Sequence, residues 1–265
     1  MNESRTTTAG VAGEGRPDED LEAYLAPTWY LDGDHPAVAD FARRAVAGAE
    51  SDVDKAVRLF YAVRDGIRYD PYSIRISPEW YRASHCLAQG RGFCVYKSGL
   101  MTAACRAVGV PARIGFADVR NHLCTERLRR LMGGDVFYYH GYAELRLAGR
   151  WVKATPIFNI ELCEKFGVRP LEFDGRSDSL LQPFDAENRR HMEYIRDHGT
   201  FADMPYERLE AVFSKHYPKI AALAAGSEAG DGLAGDFAAE AEAESAGKSP
   251  SEVARRPTNR PGGVA

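Results

Sequence analysis

Apolar positions along the chain change period several times, and each change marks an element. Val38, Phe41, Ala42 and Ala45 fall at i, i+3, i+4 and i+7 behind Asp34-His35-Pro36, which predicts a helix with Asp34 as its N-cap. Ser51 with Asp54 three residues on reads as a capping box opening a second helix. Its stripe of Val53, Val57, Phe60 and Tyr61 runs to Asp65-Gly66. Tyr69-Asp70-Pro71 then leaves helical geometry, because the residue before a proline is pushed to extended conformations. Residues from Cys94 to Val108 read as a third helix, rich in small residues and ended by Gly109. A strand from about Val110 to Val119 follows.

From Val136 to Leu147 the period becomes two. His140, Tyr142, Glu144 and Arg146 share one face, and Tyr139, Gly141, Ala143, Leu145 and Leu147 the other. Ala148-Gly149 predicts a two-residue hairpin turn, with Arg150 to Thr155 as the returning arm. In that register Leu147 faces Arg150 and Tyr142 faces Thr155, so Thr155 is a diagonal neighbour of His140. Asn188–Arg196 and Pro205–Tyr217 read as helices, and His191, His198 and His216 as exposed. The charged stretch 120–135 reads as a solvated insert closed by Gly133-Gly134. Residues 1–19 and 222–265 have little to bury and read as disordered tails, which leaves 20–221 as one domain.

Composition narrows the function classes. The 265 residues are 45% hydrophobic, enough for a substantial core. A net charge of -4 and a pI near 6.0 give no electrostatic case for a nucleic acid or a membrane surface. Five cysteines without a CxxC pair fit free thiols in a reducing cytoplasm. The N-terminus has no apolar signal core, and no run approaches a membrane span. We therefore expect a cytoplasmic protein. No zinc-site spacing, P-loop, dinucleotide glycine fingerprint or GxSxG occurs, so no metal or cofactor is expected.

Candidate chemistry centres on Cys94, where the glycine-bearing loop Arg91-Gly92-Phe93 meets a helix start. Unpaired N–H groups at a helix N-terminus stabilise a thiolate and lower its pKa. A cysteine nucleophile also needs a base, and the base a third group to orient it. His140 and Thr155 stand in the hairpin where those groups would fall. The alternative is a buried core cysteine.

The same stretches resemble the transglutaminase-like superfamily over roughly residues 50–160. Residues 87–94 (LAQGRGFC) are similar to its loop before the nucleophile, and 100–113 (LMTAACRAVGVPAR) to its helix followed by "GIPAR". Residues 139–145 (YHGYAEL) resemble the strand carrying the base, and 151–156 (WVKATP) the strand that usually ends in Asp-Pro. The resemblance implies an α+β papain-like core, with the nucleophile's helix packed on an antiparallel sheet. It implies Cys94 as nucleophile and His140 as base. The third position falls on Thr155, where an aspartate is usual; a hydroxyl can accept the imidazole N–H but adds no charge. Asn159 is a second candidate orienter, and Gln89 a candidate oxyanion donor. The expected activity is acyl transfer through a Cys-His dyad or triad, acting on a peptide, protein or small amide. The alternative is a non-catalytic module that binds a peptide or protein partner in the same cleft.

Overall fold

The computed structural model describes residues 21–121, 124–180, 192–226, 233 and 235–246. The helices are α1 (Pro36–Ala45), α2 (Asp52–Gly66), α3 (Ala83–Gln89), α4 (Cys94–Ala107), α5 (Glu126–Met132), α6 (Ile160–Phe166), α7 (Tyr206–His216), α8 (Pro218–Gly226) and α9 (Phe237–Ala246). The strands are β1 (Arg68–Tyr69), β2 (Arg91–Gly92), β3 (Ala112–Asn121), β4 (Val136–Leu147), β5 (Arg150–Ala154) and β6 (Met192–Phe201). An antiparallel sheet runs in the order β5-β4-β3-β6, and β1 pairs with β2 in parallel. The class is α+β, as the sequence implied.

Helix α4 is the axis of the molecule. It is buried from Cys94 to Arg106, with α1, α2 and α3 packed around it and β3 and β4 against it. Small side chains at Ser98, Gly99, Ala103 and Ala104 permit that all-round contact. At Gly33 a Cβ would stand 2.6 Å from the Ala103 carbonyl oxygen, so the opening segment crosses α4 at backbone distance.

Local signals decide most boundaries. Ser51 accepts the Asp54 N–H at 3.1 Å, which caps α2. Helix α1 starts one residue later than expected: His35, not Asp34, is the N-cap, its Nδ1 accepting the Ala37 N–H at 3.3 Å ahead of Pro36. The hairpin register is the predicted one, with Leu147 opposite Arg150 and Ala143 opposite Ala154. Ala148 and Gly149 both have positive φ, 46° and 79°, as a type I′ turn requires.

Tertiary context overrides three local expectations. Residues 192–196 are strand, not helix, because β3 has an open edge whose backbone groups need partners; residues 188–191 lie outside the described residues. The insert is not simply solvated: Cys124, Leu128 and Met132 are buried. The stretch after 222, expected to be disordered, contains α9, which docks on the domain. Phe237 lies 5.7, 6.1 and 5.6 Å from the rings of Tyr69, Tyr72 and Phe166. Glu240 accepts from the Tyr72 hydroxyl at 2.5 Å and from Arg127 at 2.7 Å. An alanine-rich helix needs only such an aromatic anchor and polar clasp to hold it. Among the described residues, no helix is long and apolar enough to cross a membrane.

Candidate active site

Cys94 opens α4 where the helix N-terminus meets β4. Strand β5 stops at Ala154, opposite Ala143, so the β4 backbone beyond that point loses its ladder partner. The Gly141 N–H turns to the Cys94 sulfur instead, joined there by the N–H groups of Val95 and of Cys94 itself. Glycine eases this approach. A Cβ at position 141 would stand 3.0 Å from the Val95 Cα and 3.3 Å from the Cys94 carbonyl oxygen.

His140 is the next residue, and a bulge aims it. Ala117 pairs with His140 but Val119 pairs with Phe137, so Asp118 faces two residues, Tyr138 and Tyr139. The strict alternation expected along β4 is broken there. Tyr139 takes φ 54°, a left-handed conformation unusual for a residue with a side chain. Asp118 holds it: its Oδ1 accepts the Tyr139 N–H at 3.0 Å and lies 2.8 Å from His198 Nε2. The Tyr139 ring stacks on His198, centroids 4.1 Å apart. His198 was expected among exposed histidines; its side chain is 12% exposed and supports the bulge. Asp118 is part of the same support.

Cys94 and His140 line one cavity of about 30 Å³, with Tyr69, Ile74, Met132, Tyr138 and Tyr217 among its walls. That volume suits about one water molecule. In this cavity burial decides the charge states. It pushes the Cys94 thiol up to about 11, against the lowering effect of the Gly141, Val95 and Cys94 N–H groups. It pulls the His140 imidazole down to about 4. The resting site therefore holds a neutral thiol and a neutral imidazole, not the thiolate expected from the helix start alone. His140 Nε2 is buried with no hydrogen-bond partner.

Neither expected orienter engages His140. Thr155 is 1% exposed and its Oγ1 has no partner. It lies directly after the end of β5, and a threonine hydroxyl reaches one bond less far than the carboxylate usual at that position. Asn159 is committed elsewhere, its Oδ1 accepting the Tyr69 N–H at 3.1 Å. Gln89 is exposed at the end of α3 and is not among the cavity walls.

Two residues at the site carry roles the sequence did not signal. Tyr69 is held in the cavity wall by that Asn159 bond, and burial keeps its phenol protonated. Lys97, one turn along α4 from Cys94, is fully buried, and burial lowers it to about 7. Its Nζ donates to the carbonyls of Arg64 and Ile67 at the end of α2, which fixes the start of α4 against the segment carrying Tyr69. Its place on a helix among small residues gave no hint of burial. Among the described residues, no group of three or more His, Cys, Asp or Glu side chains could hold a metal ion.

The depressed imidazole has a consequence for stability. An unfolded chain protonates this histidine near its ordinary 6.5, the folded one only near 4. Between those values the unfolded state binds more protons, so stability falls as pH falls through the window. Denaturant unfolding at pH 7 and pH 4 is expected to show His140→Gln losing about 3 kcal/mol less than the wild type on acidification.

Residues 39–156 match the model of the transglutaminase-like superfamily. Among solved structures, the chain is similar to a candidate cysteine protease from Cytophaga hutchinsonii, with 18% identity and a TM-score of 0.42, over 72% of this chain and 60% of that one. It is also similar to a candidate protease from Parabacteroides distasonis, with 14% identity and a TM-score of 0.33, over 51% of this chain and 25% of that one. The chain thus spans less than two thirds of either protein's length. No curated protein matches it.

Proposed function

We propose that the protein is a thiol enzyme that transfers or hydrolyses the acyl group of an amide or peptide, with Cys94 as nucleophile and His140 as base. The observation that carries this reading is the shared cavity. It holds a thiol at a helix start, a buried imidazole with a free Nε2, and backbone N–H groups aimed at the sulfur. Because both groups rest neutral, the reaction starts by general-base transfer rather than from an ion pair. His140 Nε2 takes the thiol proton as the Cys94 sulfur attacks the carbonyl carbon. The proton passes to the leaving nitrogen, the C–N bond breaks, and a thioester remains. Water or an amine then gives its proton to His140 and releases the acyl group, and the thiol is restored. Tyr69, which lines the same cavity, is the candidate donor to the developing oxyanion, the role first sought at Gln89.

The test is incubation of the purified protein with a peptide library, scored by mass spectrometry for new termini. Cleavage or amine exchange that disappears in Cys94→Ala supports the reading; a product pattern unchanged in that variant refutes it. A second reading, a binding module in which the cleft holds a partner without chemistry, is favoured by the unpartnered Thr155 and the raised thiol. It predicts binding without any product.

Thr155 separates orientation from chemistry. Thr155→Asp is expected to raise the His140 pKa, because a carboxylate in reach of the ring favours imidazolium. Imidazole NMR titration reads the shift, and an unmoved titration would show that position 155 does not address the ring.

A further inference from the structure

A second, larger cleft opens beside the catalytic cavity. It has a volume of about 430 Å³, within the range of small-molecule sites. It lies between the α5–β4 turn and the α7–α8 junction, and Met132 and Tyr138 form walls of both spaces. The cavity at Cys94, at about 30 Å³, accommodates a reacting carbonyl and little more. The remainder of any substrate has to lie outside it, and the shared walls make this cleft the adjoining space.

The charge lining the cleft is one-sided. Lys215 and Lys219 both contribute to it, and neither has a carboxylate partner among the described residues. Lys219 Nζ donates to the Arg130 carbonyl at 3.5 Å. One acid also lines it, Asp135, 3.5 Å from Arg120 Nε, an arginine that it shares with Glu193 at 3.1 Å, so the two lysines outnumber the cleft's own carboxylate by one. His216 lies flat on the Tyr138 ring, centroids 3.8 Å apart, and makes one wall an aromatic face. The chain as a whole carries a net charge of -4, so two lysines against one carboxylate in a concave site run against the overall field.

We propose that this cleft recognises a carboxylate on the substrate, so that the enzyme acts on acyl compounds carrying an acidic group a short distance from the scissile bond, such as an acidic peptide or a peptide's C-terminal carboxylate. The proposal rests on the reading of Cys94 as nucleophile. Lys215 and Lys219 hold the carboxylate, the Tyr138–His216 stack supports the chain beside it, and the carbonyl is presented at Cys94 past Met132.

Matched alkylating probes test it. N-iodoacetyl-glycine and N-iodoacetyl-glycylglycine are each used as the free acid and as the carboxamide, at low salt, with Cys94 alkylation followed by peptide mass. The acid of at least one length is expected to react roughly three- to tenfold faster than its amide. The ratio is expected to fall towards one in the double variant Lys215→Gln/Lys219→Gln, whose fold is checked by its melting temperature. Equal acid and amide rates in the wild type, with Cys94 alkylated by both, would overturn the carboxylate site and leave the nucleophile standing. A preference that persists in the double variant would also overturn it. If no probe labels Cys94, the nucleophile reading is what fails. The cleft is then decided by NMR titration of the unmodified protein with N-acetyl-glycylglycine: shifts of His216 that vanish in the double variant support it, and no shift overturns it.

Discussion

His140→Ala is expected to slow acylation of Cys94 by roughly 10²–10⁴-fold, the usual span for removing a general base. The reason lies in the resting state. Burial holds the thiol at about 11, so at neutral pH the sulfur has a proton that something must take. His140 borders the same cavity and, held at about 4, keeps its lone pair down to that pH. A site running from a preformed thiolate would lose reactivity towards acid as the thiolate is protonated. This site is expected instead to hold a broad plateau across the neutral range, falling only as His140 is protonated. Single-turnover acylation with an activated ester, measured from pH 4 to 10 in the wild type and in His140→Ala, reads both features. A wild-type rate that tracks an ordinary thiol near 8.5, unaltered by the substitution, would refute the pairing.

Gly141→Ala should damage the fold and the site together. The new Cβ would meet the Val95 Cα at 3.0 Å, with the Cys94 carbonyl oxygen at 3.3 Å. These are backbone atoms of a buried helix start, so they cannot swing aside as a side-chain tip would. Overpacking of this kind costs about 1–3 kcal/mol. Relief requires α4 and β4 to separate, which lengthens the Gly141 N–H contact to the sulfur and moves Cys94 away from His140. A folded variant that unfolds at lower denaturant and has lost most of its acylation rate is the expected outcome. By contrast, a Cβ added at Gly134 would meet nothing within 4 Å, so alanine there is expected to change stability little. Unfolding curves for the two variants side by side check the contrast, and equal midpoints would contradict the close approach.

The positions of Cys94 and His140 were legible because each rests on a local signal. A glycine-bearing loop running into an apolar helix put Cys94 at a helix start. The two-residue turn at Ala148-Gly149 fixed the register of the hairpin from Ala143 to Ala154. What stayed hidden depends on groups distant in the chain. The bulge at Tyr139 is set by Asp118 and His198, on two other strands. The burial of Lys97 follows from α2 ending over α4, which no periodicity in α4 reports. The charge state of Cys94 departs from expectation because a helix N-terminus lowers a thiol's pKa only while the thiol is hydrated enough to ionise, and the walls that exclude water come from α5 and α7. Helix α9 was hidden for a related reason. Its composition cannot fold alone, and it docks through Phe237 and through Glu240, Glu242 and Glu244, whose partners lie far away in the chain.

The most direct test is the mass of the protein caught during turnover. Wild-type protein mixed with an activated ester at pH 7 and quenched in acid should carry one acyl group. Peptide mapping should place it on Cys94, not on Cys86, Cys105, Cys124 or Cys163, and it should be absent in Cys94→Ala. An adduct on another residue, or none under conditions where His140 is neutral, would contradict the account.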